Sequence, residues 1–125
     1  MALSNFLYKR WKGAGYALKG ALILLRTEPS IQVQAFIATC LVIAGFVFNI
    51  STTEWIVQLL AVGMVMGAEG LNTTIEAIAD FIHPEFHKKI GHIKDIAAGA
   101  VFLTAVIATV IGCIIYVPKI VALFQ

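Results

Sequence analysis

The chain has 125 residues, room for one domain. Its hydrophobic fraction is 60%, its charged fraction 13%, and its mean hydropathy +0.92, where a soluble domain averages about 45–50% apolar and about 25% charged. These values exclude a water-soluble globule and a disordered chain. A net charge of +2, with the basic residues beside apolar runs, gives no footprint for nucleic acid. The class is all-α integral membrane protein. So short a chain cannot enclose a large cavity with its own helices, so a homo-oligomer is expected.

Taken in order, residues 5–26 read as an amphipathic helix. Phe6, Leu7, Trp11, Leu18, Leu22 and Leu25 are interleaved with Lys9, Arg10, Lys12 and Lys19, the pattern of a helix lying in the headgroup plane against anionic lipid. Gly13, Ala14, Gly15, Ala17, Gly20 and Ala21 give it a surface that another backbone or a lipid can approach closely. Glu28-Pro29 turns the chain into span 1, residues 31–49. Span 2, residues 55–82, starts lipid-like and then turns acidic with no helix breaker. At ~1.5 Å per residue it measures about 42 Å, more than the ~30 Å hydrocarbon core, so its C-terminal half should emerge on one side. His83-Pro84 ends it, because proline disfavours helical geometry in the residue before it. Span 3 covers residues 95–117. All belong to one membrane domain, residues 1–125. Cys40 and Cys113 lie inside apolar spans with no second ligand at useful spacing and read as packing residues.

With three spans, the N-terminus and the loop from His83 to Lys94 share one face. That face holds Lys9, Arg10, Lys12, Lys19, Arg26, Lys88, Lys89 and Lys94, and the other holds only Lys119. The positive-inside rule makes the first face cytoplasmic.

Glu69, Asn72, Glu76 and Asp80 are spaced by three, four and four residues. At ~100° per residue they fall within about 80° of one another on one helix face. Carboxylates in apolar surroundings are costly unless compensated. A polar face emerging into cytoplasm accounts for Asp80 and partly for Glu76. It does not account for Glu69, which follows the uncharged run from Trp55 to Ala68. The reading that uses all four is a site whose ligand brings the compensating charge. Hard oxygen donors suit Mg²⁺, which takes one or two carboxylates plus substrate phosphates. Lys94 then offers a point charge for phosphate oxygens, and Asp95 could hold either the metal or the lysine. His87 and Tyr16 could border a nucleotide base.

These residues resemble a known family. The run Glu69-x-x-Asn72-x-x-x-Glu76-x-x-x-Asp80, then Pro84-Glu85-Phe86-His87, then Lys94-Asp95 before an Ala/Gly-rich start of the last span, is similar to the prokaryotic membrane diacylglycerol kinases and undecaprenol kinases. Ala14-Gly15-Tyr16, Lys19-Gly20 and Glu28 match the family's surface helix and acidic turn. The resemblance implies a cytoplasmic surface helix plus three transmembrane helices, a homotrimer with sites between subunits, and transfer of the γ-phosphate of ATP to a lipid alcohol. It implies Glu69 as general base, and Glu28 and Glu76 as metal ligands. It implies Tyr16, Glu28, Asn72, Glu76, Glu85, His87, Lys94 and Asp95 around the nucleotide, with Glu69, Ala14 and Lys19 toward the lipid. Gln34 stands where enterobacterial diacylglycerol kinases carry an acidic residue, and the segment PSIQVQ is closer to Gram-positive-type members. Undecaprenol is therefore the expected acceptor, with diacylglycerol the alternative.

A small proton-coupled transporter with Glu69 as its proton site is the competing class. It leaves Asn72, Glu76 and the Lys94-Asp95 pair without a use, as does a purely structural subunit.

Overall fold

The computed structural model describes all 125 residues. It is all-helical: α1 Ala2–Thr27, α2 Pro29–Val47, α3 Thr52–Ile82 and α4 Lys88–Ala122. The last three are each long and apolar enough to cross a membrane, giving the three spans and the additional N-terminal helix that the sequence predicts.

Each joint follows from local chemistry. Glu28 alone separates α1 from α2, with φ −100° and ψ 109°. Pro29 imposes that extended geometry on it and then suits the first position of α2, where a missing N–H leaves no bond unmade. At the other end, α2 stops at Val47, two residues short of the expected Asn49, because Asn49 takes a left-handed conformation with φ 47°. Asparagine tolerates this region, and it turns the chain out of the helix.

Helix α3 starts three residues before the expected Trp55. A capping box sets its origin: Glu54 N donates to Ser51 Oγ at 3.2 Å, and Ser51 N donates to Glu54 Oε2 at 2.8 Å. His83 follows α3 in extended geometry, φ −145° and ψ 84°, as the residue before Pro84 must be.

The second connection is shorter than the sequence predicts. Lys88–Lys94 is helical, and only His83–His87 links the helices. His87 caps α4, its Nδ1 accepting from Lys89 N at 3.1 Å, so the helix starts two turns before the expected residue 95. It also runs through Pro118 to Ala122. The proline removes one backbone donor close to the helix end, where few bonds remain to be lost. At ~1.5 Å per residue, the 31 residues of α3 and 35 of α4 measure about 46 and 52 Å.

Helices α3 and α4 form the main packed pair. The compact core sits at the end away from the acidic stripe, where Ile50, Ile115 and Tyr116 pack with Leu41, Phe48, Trp55 and Ile111. Gly45 allows the α2–α3 approach there. A Cβ on it would lie 2.5 Å from Trp55 Cη2 and 3.1 Å from Ile50 Cδ1. One polar cluster ties three helices together: Tyr116 Oη donates to Gln58 Oε1, and Gln58 Nε2 donates to the Leu41 carbonyl at 3.2 Å. Beyond it, Lys119 Nζ pairs with Glu54 Oε1 at 2.9 Å.

Only 10 of the 125 residues are buried, and α1 has none. The single chain therefore leaves its spans to be covered by lipid or by other copies. Cys40 and Cys113 are free and exposed. They do not pack inside the chain's own core, and Cys113 lines the groove between α2, α3 and α4.

Candidate active site

The acidic stripe lies on the half of α3 nearer its C-terminus, and burial grades along it. Glu69 is 9% exposed and Asn72 8%, while Glu76 and Asp80 are exposed. The stripe thus passes from the packed bundle to its polar end within three helical turns.

Glu69 is held from α2. Gln34 Nε2 donates to Glu69 Oε2 at 3.2 Å, the one side-chain hydrogen bond that fixes this carboxylate. Ile31, Gln34, Ala38 and Leu41 share the face of α2 turned toward the bundle, which aims the Gln34 amide at α3. That register is the sequence signal for Gln34, a polar residue on an otherwise inward apolar stripe. The expected site residues do not include it. Next to Glu69, a Cβ on Gly70 would lie 3.1 Å from Leu24 Cδ1. The C-terminal turn of α1 thus rests against α3 because that position carries no side chain.

One turn further, Asn72 Nδ2 donates to Glu76 Oε1 at 3.3 Å. This bond turns the amide so that Asn72 Oδ1, buried and without a partner, faces the other way. A buried amide oxygen left unpaired is costly, and turning the amide about its last torsion would bring Oδ1 beside Glu76 Oε1, two hard oxygen donors of the kind a divalent cation takes. By donor chemistry, Asn72 and Glu76 fit a hard divalent cation once the amide has turned. No three carboxylate, histidine or cysteine side chains of one chain converge into a closed metal cage. Glu28, expected as a ligand, sits at the α1–α2 joint, where Thr27 Oγ1 reaches its Oε1 at 3.4 Å. No side-chain hydrogen bond links it to α3.

Across the seam, Lys94 Nζ pairs with Asp80 Oδ1. The lysine's carboxylate partner is therefore on α3 and is not its sequence neighbour Asp95. Asp95 is exposed, one residue on around α4. Glu85 and His87 lie in the connecting loop. His83 Nδ1 donates to the Glu85 carbonyl at 2.7 Å, and the His83 and His87 rings meet edge to face at 5.1 Å. Tyr16, Ala14 and Lys19 are exposed on α1. The fold thus joins Gln34 with Glu69, Asn72 with Glu76, and Asp80 with Lys94. It gives Glu28, Asp95 and the α1 residues no side-chain hydrogen bond or ion pair with these groups.

A groove of about 440 Å³ runs between α2, α3 and α4 from Gln34 past Leu41, Val62, Met66 and Cys113 to Tyr116, and its lining is mostly apolar. Gln34, the partner of Glu69, lines this groove, while Glu76 and Asp80 at the other end of the stripe are exposed.

Residues 15–116 match the model of the prokaryotic diacylglycerol kinases. The chain belongs to that family. It is 37% identical to the undecaprenol kinase of Bacillus subtilis over 92% of its own length and 94% of that protein. It is 28% identical to the diacylglycerol kinase of Escherichia coli, over 83% of the chain and 85% of the relative. The diacylglycerol kinase of Haemophilus influenzae is also 28% identical, over 77% and 81%. Membership makes the chain a membrane lipid kinase. The match runs from the second half of α1 through the three spans and the stripe, which sets aside the transporter and structural-subunit readings.

Proposed function

We propose that this kinase transfers the γ-phosphate of ATP to undecaprenol, at the cytoplasmic face of the membrane and with Mg²⁺. The observation that carries the reading is Glu69, a buried carboxylate bonded to Gln34, which itself lines the apolar groove. An alcohol on a long apolar tail can lie in the groove with its hydroxyl against that carboxylate. A triphosphate is too polar to enter from there and comes from the Glu76 end.

Glu69 takes the hydroxyl proton. The freed oxygen bonds to the γ-phosphorus while the bond from that phosphorus to the bridging oxygen breaks, and the electron pair leaves on ADP. Asn72, Glu76 and Glu28 would hold Mg²⁺, which when bound would supply charge neutralisation for the phosphates. Lys94 exchanges its exposed contact with Asp80 for a phosphate oxygen, an exchange that costs little because both partners are solvated. Phosphoryl transfer depends mainly on positioning and charge compensation, so this small set suffices. His87, Glu85, Asp95 and Tyr16 border the nucleotide, while Ala14 and Lys19 on α1 line the approach of the lipid.

The excess of lysine and arginine at the stripe's end of the bundle supports the cytoplasmic orientation. A homotrimer is supported by the small buried fraction and by Glu28, Tyr16 and Asp95 making no side-chain bond to the stripe within one chain. Sites built between subunits would close those gaps. Undecaprenol is favoured over diacylglycerol by the greater identity to the relative named for it. The test is transfer of label from γ-³²P-ATP, in mixed micelles, to undecaprenol and diacylglycerol in parallel. Preference for undecaprenol is expected. Equal or greater labelling of diacylglycerol would overturn the assignment of the acceptor.

A further inference from the structure

We infer that Leu24 and Gly70 form the seat that sets the angle of α1, and so act as positioning residues for the groups that helix carries. This deepens the reading that places Tyr16, Ala14 and Lys19 beside the nucleotide and the lipid, and rests on it. Every residue of α1 is exposed except Leu24, which is half-buried. Where a Cβ on Gly70 would stand, Leu24 Cδ1 lies 3.1 Å away, and no other helix reaches within 4 Å. The joint to α2 is the single extended residue Glu28. Around it, Gln32 Nε2 donates to the Arg26 carbonyl at 3.1 Å and Thr27 Oγ1 to Glu28 Oε1 at 3.4 Å. These bonds stay within α1, the joint and α2, so the only side chain that seats α1 on α3 is Leu24.

A helix joined through one residue and seated by one side chain behaves as a lever. Leu24 is four residues from Glu28, Lys19 nine and Tyr16 twelve. At ~1.5 Å per residue these positions lie about 6, 14 and 18 Å from the joint, so a shift at the seat is roughly doubled at Lys19 and tripled at Tyr16. A movement of about 0.3 Å at Leu24 then carries Tyr16 by about 1 Å, and a misplacement of that size can cost on the order of 10²-fold in rate. The seat also adjoins the base, because Gly70 follows Glu69 in the chain. A glycine inside a helix is destabilising by about 0.5–1 kcal/mol relative to alanine. Of the three glycines in α3, Gly63 and Gly67 meet nothing within 4 Å, and only Gly70 receives a side chain from another helix. The missing Cβ at that position is what admits Leu24.

The test is an exchange of size across the seat, in the full-length protein. Gly70→Val puts carbons where Leu24 lies, and Leu24→Ala empties the seat. The pair Leu24→Ala/Gly70→Val holds as many side-chain carbons as the wild type, but on the opposite helix. Each is measured for kcat, for KM toward ATP and lipid, and for thermal stability in detergent. The placement of α1 is read from quenching of Trp11 by brominated phosphatidylcholine, in a Trp55→Phe background. Each single variant should lower kcat about 10- to 100-fold and alter the Trp11 quenching. Stability should not move, because the packed core lies at the other end of the bundle. The pair should return kcat to within about threefold of the wild type and restore the quenching. Single variants with wild-type kcat, or a pair as impaired as the worse of them, would overturn the assignment. Lys19→Ala and Tyr16→Ala separate the two levels. Full activity in both removes the site role given to α1, whereas impairment there beside fully active seat variants removes only the role of Leu24 and Gly70.

Discussion

Lys94 on α4 is paired with Asp80 on α3 and not with Asp95, its neighbour in the chain. The pair closes the polar end of the α3–α4 seam and holds the lysine beside the acidic stripe. With side chains 33% and 60% exposed, it contributes little to stability, about 0–1 kcal/mol for a solvated pair. Asp80→Asn should therefore leave thermal stability nearly unchanged while lowering KM for ATP, since the lysine no longer has to be released. Lys94→Ala should raise KM for ATP by roughly tenfold or more, the loss of a charge-assisted contact of about 1.5–3 kcal/mol. Steady-state kinetics of both variants read this directly. A KM for ATP that does not move in Lys94→Ala would take the lysine out of nucleotide binding.

Glu69→Gln should reduce kcat by about 10²- to 10⁴-fold, the usual contribution of a positioned base. Nucleotide binding should persist, because Asn72 and Glu76 are untouched. Equilibrium binding of a fluorescent ATP analogue, run beside the lipid phosphorylation assay, separates the two effects.

Removing the cation is expected to stop turnover, with recovery on adding Mg²⁺ back. Glu76→Gln should shift that recovery to markedly higher Mg²⁺. Asn72→Ala should do the same to a smaller degree, since it deletes the unpaired Oδ1 and also frees Glu76 Oε1 from its 3.3 Å bond. A Mg²⁺ titration of wild type and variants checks this, and superimposable curves would remove both residues from the ligand set.

At the opposite end of the bundle the expected effects are on stability alone. Tyr116→Phe removes the hydroxyl that bonds Gln58 and the Leu41 carbonyl. The expected cost is about 0.6–1.7 kcal/mol, the range for interhelical hydrogen bonds in membranes. Gly45→Ala should cost about 1–3 kcal/mol by overpacking against Trp55. Unfolding in mixed micelles measures both, and the specific activity of the folded fraction should stay at the wild-type value.

Much of the site was legible in one dimension because its residues share one helix face. Glu69, Asn72, Glu76 and Asp80 recur at three- and four-residue steps, and helical periodicity alone aligns them. Gln34 was not legible as a site residue in the same way. It is 35 positions from Glu69, and an isolated glutamine in an apolar span shows its meaning only when its partner across the bundle is known. The lysine's choice of Asp80 over Asp95 depends likewise on the register of α4 against α3. That register follows from a helix start at Lys88, two turns earlier than charge and hydropathy suggest, because the His87 cap is a local hydrogen bond that hydropathy does not register.

Composition and hydropathy by themselves determined that this is a helical membrane protein with three spans and a basic amphipathic arm, because the bilayer admits few ways to satisfy a backbone. They also determined the acidic face, because helical geometry is periodic. Only the tertiary structure decided which polar groups meet: Gln34 with Glu69, Lys94 with Asp80, and Tyr116 with Gln58. The physical reason is that such pairings depend on how far each helix extends and how it is rotated against its neighbour. Those quantities are set by caps and close packing at Ser51, Gly45 and His87, which carry almost no weight in a hydropathy average.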